Sequence, residues 1–183
     1  DSHTWTIRNN VVENLSMGIY LWDELSTGYT PNEAPLAYNN TVIGPNTTIE
    51  NIGIVLEGSE NSLVYNNIIK DTYWGIYASD NSSGSTVRNT LFYNMTRPAG
   101  NSTYSLGGTA ATDPNFRDLT TDQTGNPQLQ SSGVKPDPFY RPTSASTLVI
   151  DKGDPARACG SPAVDGDSDS SVICDIGAYE YGG

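Results

Sequence analysis

Asn66-Asn67-Ile68-Ile69, followed nine residues after Asn66 by Gly75-Ile76-Tyr77, decides the fold, because the same phrase returns on either side of it. Upstream, Asn9-Asn10-Val11-Val12 leads to Gly18-Ile19-Tyr20, and Asn39-Asn40-Thr41-Val42-Ile43 leads to Gly53-Ile54-Val55. Downstream, Asn89-Thr90-Leu91-Phe92 begins a fourth copy. The copies start 30, 27 and 23 residues apart, and self-similarity at such a period marks stacked, nearly identical units.

Each copy carries short, β-branched apolar runs such as Leu63-Val64-Tyr65 and Ile68-Ile69, separated by polar turns. Helical periodicity is absent over residues 1–104, and the Gly, Asn and β-branched content resists it. Three short strands per repeat predict an all-β chain: a right-handed parallel β-helix of about four coils. Its interior should hold ladders of like residues, with Ile7, Val64 and Val87 in one. Val12, Ile43, Ile69 and Phe92 form the second expected ladder, and Ile19, Ile54 and Ile76 the third. The repeated Asn suits a tight bend with left-handed backbone angles, where its amide can bond the equivalent Asn one coil away. Gly18, Gly53 and Gly75 are expected at bends where a side chain would clash or strain the backbone. Residues 23–36 and the Gly44-Pro45-Asn46 excursion interrupt the period as loops, which are either tolerated surface insertions or places where repeat proteins put binding residues.

Composition narrows the partners. Nine Lys and Arg against 21 Asp and Glu give a formal charge of −12 in 183 residues, which repels nucleic acid and anionic membrane surfaces. No apolar run approaches the roughly 20 residues of a membrane-spanning helix, so the chain is not expected to be membrane-embedded. The chain starts at Asp1, which suggests that a secretion signal or upstream coils once preceded it. Cys159 and Cys174 are either a disulfide or two free thiols. Six Asn-x-Ser/Thr sequons, at Asn14, Asn39, Asn46, Asn81, Asn94 and Asn101, favour an oxidising, extracellular or cell-surface compartment and hence the disulfide. Such a bridge closes about 15 residues and stabilises by roughly 3 kcal/mol in the chain-entropy picture.

After Leu106-Gly107-Gly108 the phrase stops, and Pro, Asp and Ser take over. An open stack ends in unpaired backbone and exposed core, so residues 105–183 are expected to lie across the last coils as an irregular cap. Within them, Thr147-Leu-Val-Ile150 and Ile176-Gly-Ala-Tyr-Glu-Tyr181 read as two further strands.

Asp113-Pro114-Asn115-Phe116, Phe139-Tyr140-Arg141-Pro142, Val149-Ile150-Asp151-Lys152-Gly153-Asp154 and Cys174-Asp175-Ile176-Gly177-Ala178-Tyr179-Glu180-Tyr181 together resemble the ending of bacterial surface proteins that pair a pectate-lyase-like right-handed β-helix with a choice-of-anchor Q domain. One departure is the middle phrase, where the stretch beginning at Ser146 lacks the usual proline. The resemblance implies the β-helix fold and surface display. It says less of activity, because this scaffold hosts lyases, other carbohydrate-active enzymes and adhesins.

Three features carry candidate chemistry. Asp165, Asp167 and Asp169 alternate as hard oxygen ligands of the kind calcium takes, although Ser170 and Ile176 stand where an EF-hand wants Gly and Glu. A calcium site and a solvated acidic turn both remain open. Lys70, Arg8 and Arg88, with Glu13 and Asp71 near them, form no catalytic spacing motif, and no catalytic residue is assigned. Tyr20, Trp22, Tyr73, Trp74 and Tyr77 recur near one repeat position, so stacking would bring them to one wall. There they would either hold sugar rings or pack beneath the 23–36 loop or the tail. The expected function is a structural or adhesive extracellular protein that recognises a polysaccharide or other glycan. Two alternatives are a polysaccharide lyase or glycosidase, and a filament subunit that stacks end to end with its copies.

Overall fold

The computed structural model describes residues 5–13, 16–22, 34–47, 50–79, 82–96, 104–106, 116, 121–131, 140–156, 173–179 and 181. Among these, every regular element is a strand. The first pass of the chain contributes β1 (Thr6–Arg8), β2 (Val11–Glu13) and β3 (Met17–Trp22). The second contributes β4 (Leu36–Tyr38), β5 (Thr41–Ile43) and β6 (Ile52–Glu57). The third contributes β7 (Leu63–Tyr65), β8 (Ile68–Lys70) and β9 (Trp74–Ala78). The fourth contributes β10 (Thr86–Arg88), β11 (Leu91–Tyr93) and β12 (Tyr104–Leu106), and β13 (Gln123–Thr124) follows. Successive strands go to three different sheets in rotation: β1-β4-β7-β10, then β2-β5-β8-β11-β13, then β3-β6-β9-β12. Every pairing in these sheets is parallel. The stack therefore runs past residue 104, into β12 and β13.

Parallel register turns each repeat position into a column of like residues. In the first sheet Ile7, Ala37, Val64 and Val87 align, with Ala37 occupying the place left open in the second copy. In the third sheet Ile19, Ile54, Ile76 and Tyr104 align. The second sheet corrects the expected ladder, since Val42 and not Ile43 joins Val12, Ile69 and Phe92. Strand side chains alternate, so a one-residue slip moves a side chain to the opposite face. Counting from Asn40, as from Asn67, would have selected Val42, whereas Ile43 aligns with Glu13 and Lys70 on the outer face. Most members of these columns are fully buried and belong to one core cluster, where each large aliphatic side chain contributes about 1.5–3 kcal/mol.

The Asn pairs divide two tasks between them. The first Asn of each copy, at 9, 39, 66 and 89, takes the left-handed conformation, with φ of +57°, +50°, +55° and +47°. The second points along the stack. Asn10 Nδ2 donates to Asn40 Oδ1 at 3.0 Å, and Asn40 Nδ2 donates to Asn67 Oδ1 at 3.0 Å. The backbone N–H groups of Asn10 and Asn40 donate to the same oxygens. Thr90 ends the amide ladder, and its N–H donates to Asp122 Oδ1 at 2.9 Å just before β13.

Gly18, Gly53 and Gly75 lie inside β3, β6 and β9, where the pairing register passes over them and the isoleucine that follows each one turns into the core. Close packing demands at least two of them. A Cβ on Gly53 would sit 2.4 Å from Ile69 Cγ2 and 2.6 Å from the Gly75 carbonyl oxygen, and Gly18 is crowded in the same way by Val42 and Gly53. The expected clash is real, and it comes both from the neighbouring sheet and from the backbone of the next strand in the same sheet.

The tail meets the last pass and also extends beyond it. Phe116 is fully buried in the main core, and its carbonyl accepts from Val87 N at 2.6 Å. The later described segments run along the outer face of the second sheet. Asn89 Nδ2 donates to the Lys152 carbonyl at 3.3 Å in the fourth pass, and Asn66 Oδ1 accepts from Asp154 N at 2.7 Å in the third. In the second pass Asn39 Nδ2 donates to the Asp175 carbonyl at 3.1 Å. In the first, the Tyr140 hydroxyl donates to Glu13. Val149 and Ile176 pack on Ile68 and Leu91 as a second core cluster. Residues 147–150 are turns and residues 176–178 are bends, not the two strands expected. Val149 N and Ile150 N both donate to the Ser146 carbonyl, which curls the first segment. In the second, Gly177 has φ of +104° and lies so near the sheet that a Cβ would come within 2.6 Å of Ile68 Cδ1.

Candidate functional site

The five aromatic residues all lie on the third sheet or directly before its third strand, and they fall into two groups. Alternation in β3 turns Ile19 and Leu21 into the core and leaves Tyr20 and Trp22 outside, 42% and 50% exposed. In β9 the same alternation buries Ile76 and Ala78 and leaves Tyr77 half-buried. Tyr20 and Tyr77 share one register column, with Val55 between them. Trp74 meets Tyr73 edge to face at 5.1 Å between ring centroids and lies 6.4 Å from Tyr77. Asn51 holds this group in place, because its side-chain oxygen accepts from Tyr73 N at 2.8 Å. The wall thus has an exposed first-pass pair and a partly sheltered third-pass trio, about 10 Å apart at the usual strand spacing.

Polar groups border the rings. Glu57 aligns with Trp22 across the sheet and accepts a hydrogen bond from the Tyr20 hydroxyl. That bond, with some burial and the nearby carboxylate charge, raises the Tyr20 pKa above 10.0. Flat aromatic faces beside a carboxylate and a phenol can stack on the C–H face of a sugar ring and bond its hydroxyls. The 23–36 loop that bears on the alternative packing lies outside the described residues, except for residues 34–36.

The basic residues do not converge. Arg8 and Arg88 lie at opposite ends of one outer column of the first sheet, separated by Tyr38 and Tyr65. Lys70 is on the second sheet, with Nζ 2.6 Å from Asp71 Oδ2. The two tyrosines between the arginines stack at 4.7 Å with planes 7° apart, an aromatic pair that the sequence reading missed. Their signal was available, since each directly precedes an Asn pair, as Arg8 does. Tyr65 is buried, so this stack spends its faces on packing.

Asp165, Asp167, Asp169 and Cys159 lie outside the described residues, as do Asn14, Asn81 and Asn101. Cys174 is fully buried, and no cysteine among the described residues is free. Among the described residues no group of three or more His, Cys, Asp or Glu could hold a metal ion. Asn39 is buried beneath Asp175, which leaves no room for a glycan on the folded chain. Asn46 and Asn94 are exposed, and Asn94 Nδ2 donates to Asp71 Oδ1 at 2.6 Å and to Asn46 Oδ1 at 3.3 Å. Among the described residues no helix is long and apolar enough to cross a membrane. No protein-family model, curated protein or solved structure matches this chain.

Proposed function

We propose that this chain is a right-handed parallel β-helix displayed outside the cell, where it serves as a structural or adhesive element that binds glycans. The rotation of consecutive strands through three parallel sheets supports the helical winding. The observation that carries the binding role is the outer wall of the third sheet, where Tyr20 and Trp22 stand exposed in line with the Tyr73, Trp74 and Tyr77 cluster. A rigid parallel sheet presents these rings at fixed spacing, so little ordering cost remains when an extended polysaccharide lies along them.

Affinity electrophoresis through gels containing cellulose derivatives, xylan, pectin or glycol chitin tests this role. At least one polymer should retard the protein, and Trp22→Ala should weaken that retardation severalfold without changing thermal stability. Migration unaffected by every polymer, or retardation insensitive to both Trp22→Ala and Trp74→Ala, rules the wall out.

A further inference from the structure

On the outer face of the second sheet, Lys70 and Tyr93 are neighbours in one register column. Together with tail residues 126–131 and Tyr140 they enclose a partly open cleft of about 330 Å³. This cleft is separate from the aromatic wall, which belongs to the third sheet, and its reading does not depend on that wall. Its volume lies at the lower end of the ~300–1,000 Å³ usual for small-molecule sites, which suits a mono- or disaccharide.

The lining sets the chemistry. Among the described residues that line the cleft Lys70 is the only charged one, and Asp71 neutralises it at 2.6 Å. Asn126, Gln128 and Gln130 offer amide groups that both donate and accept, the pattern that hydroxyl-rich neutral molecules require. Tyr93 and Tyr140 add flat ring faces, and the Tyr140 hydroxyl is fixed by its bond to Glu13.

Backbone conformation singles out the same place. Of the eleven non-glycine residues with positive φ among the described residues, nine are Asn or Asp, which tolerate it. The two exceptions, Gln128 at +54° and Tyr140 at +70°, both line this cleft. Surrounding bonds hold each of them there. The Gln128 carbonyl accepts from Thr143 Oγ1 and Ser146 Oγ, both at 2.9 Å, and its N–H donates to Asn126 Oδ1 at 2.9 Å. Tyr140 N donates to the Gln130 carbonyl at 2.9 Å, beside the antiparallel bridge between Leu129 and Pro142. Gly or Asn would make either turn with less strain, so the turns alone do not account for these side chains. The geometry points to a binding site for a small neutral saccharide between the second sheet and the tail.

Saturation-transfer NMR on the full chain, with glucose, galactose, mannose, N-acetylglucosamine, cellobiose and lactose as separate probes, tests the assignment. At least one sugar should bind with millimolar affinity. Gln128→Gly should weaken it at least tenfold while thermal stability stays the same or rises, because Gly relaxes the turn. Tyr93→Ala should weaken it comparably, and Trp74→Ala should leave it unchanged. Absence of transfer to all six probes overturns the proposal, as does binding that survives Gln128→Gly or is lost only with Trp74→Ala. Saccharide binding that persists when the polymer-gel assay is negative keeps the cleft and removes the wall, so the two readings fail separately.

Discussion

The stacked strands and the tail that runs along them use the same side chains in opposite ways. In the stack an Asn meets another Asn, so the Asn10, Asn40 and Asn67 amides form a repeating ladder in which each residue sees nearly the same surroundings. Along the tail the left-handed Asn residues meet a different partner in each pass: Asp175 at Asn39, Asp154 at Asn66 and Lys152 at Asn89. Repetition makes the first set cooperative, because losing one rung leaves groups unpaired in the next pass. The tail contacts are single ties on an outer face. Burial sharpens the difference, since Asn67 is buried with all its bonds inside the stack, whereas the tail bonds are spread over elements far apart in sequence.

The largest effect is expected from Asn67→Ala. Its oxygen accepts from the Asn40 backbone and side chain, and its Nδ2 donates to the Ala37 and Tyr65 carbonyls, so truncation strands several buried groups. At about 1–3 kcal/mol per unsatisfied group, the loss should be about 3 kcal/mol or more in urea unfolding. A loss near that of a surface substitution would mean that the ladder is not cooperative.

Asn66→Gly, one residue earlier, probes the tail with a smaller change. Glycine takes the +55° backbone angle without strain, but the substitution removes the side-chain bond to Asp154 N. A net loss of about 1 kcal/mol is expected, with faster hydrogen exchange at Asp154 and unchanged exchange at Ile69. Exchange that rises equally at both amides would show that tail and stack open as one unit.

The smallest effect concerns the wall. The Glu57 bond raises the Tyr20 pKa, so folding favours the neutral phenol. Its stabilisation is present below the unfolded phenol's pKa near 10 and is lost as pH rises through the higher folded value. Ultraviolet titration of the wild type and of Glu57→Gln should differ by one phenol, which ionises at lower pH in the variant. A titration curve unaltered by Glu57→Gln would dissociate Tyr20 from Glu57.

Much of the stack was legible because each position has a local, repeated cause. Asn-Asn marks the turn, the second residue after it points inward, and the inward columns follow by counting. Val42 and Ile43 are both β-branched, so composition alone cannot tell which of them faces the core, and only the spacing from Asn40 separates them. At Gly18 and Gly53 strain and crowding call for the same residue, and only the packing, with Val42 and Ile69 of the neighbouring sheet and the carbonyl of the adjacent strand pressed against them, shows the crowding.

The wall was legible as a recurrence of Tyr after Gly-Ile, but not its division into an exposed pair and a sheltered trio. Nothing local signalled the cleft. Lys70 and Tyr140 are seventy residues apart, and Gln128 and Tyr140 occupy turns that contain no Asn or Gly at the strained position. By itself the sequence determined the all-strand character, the repeat and most of the core, because those depend on alternation and spacing along the chain. Only the tertiary structure decided where the tail lies, since its path is set by single hydrogen bonds and by Val149 and Ile176 packing on Ile68 and Leu91, surfaces that exist once the passes have stacked.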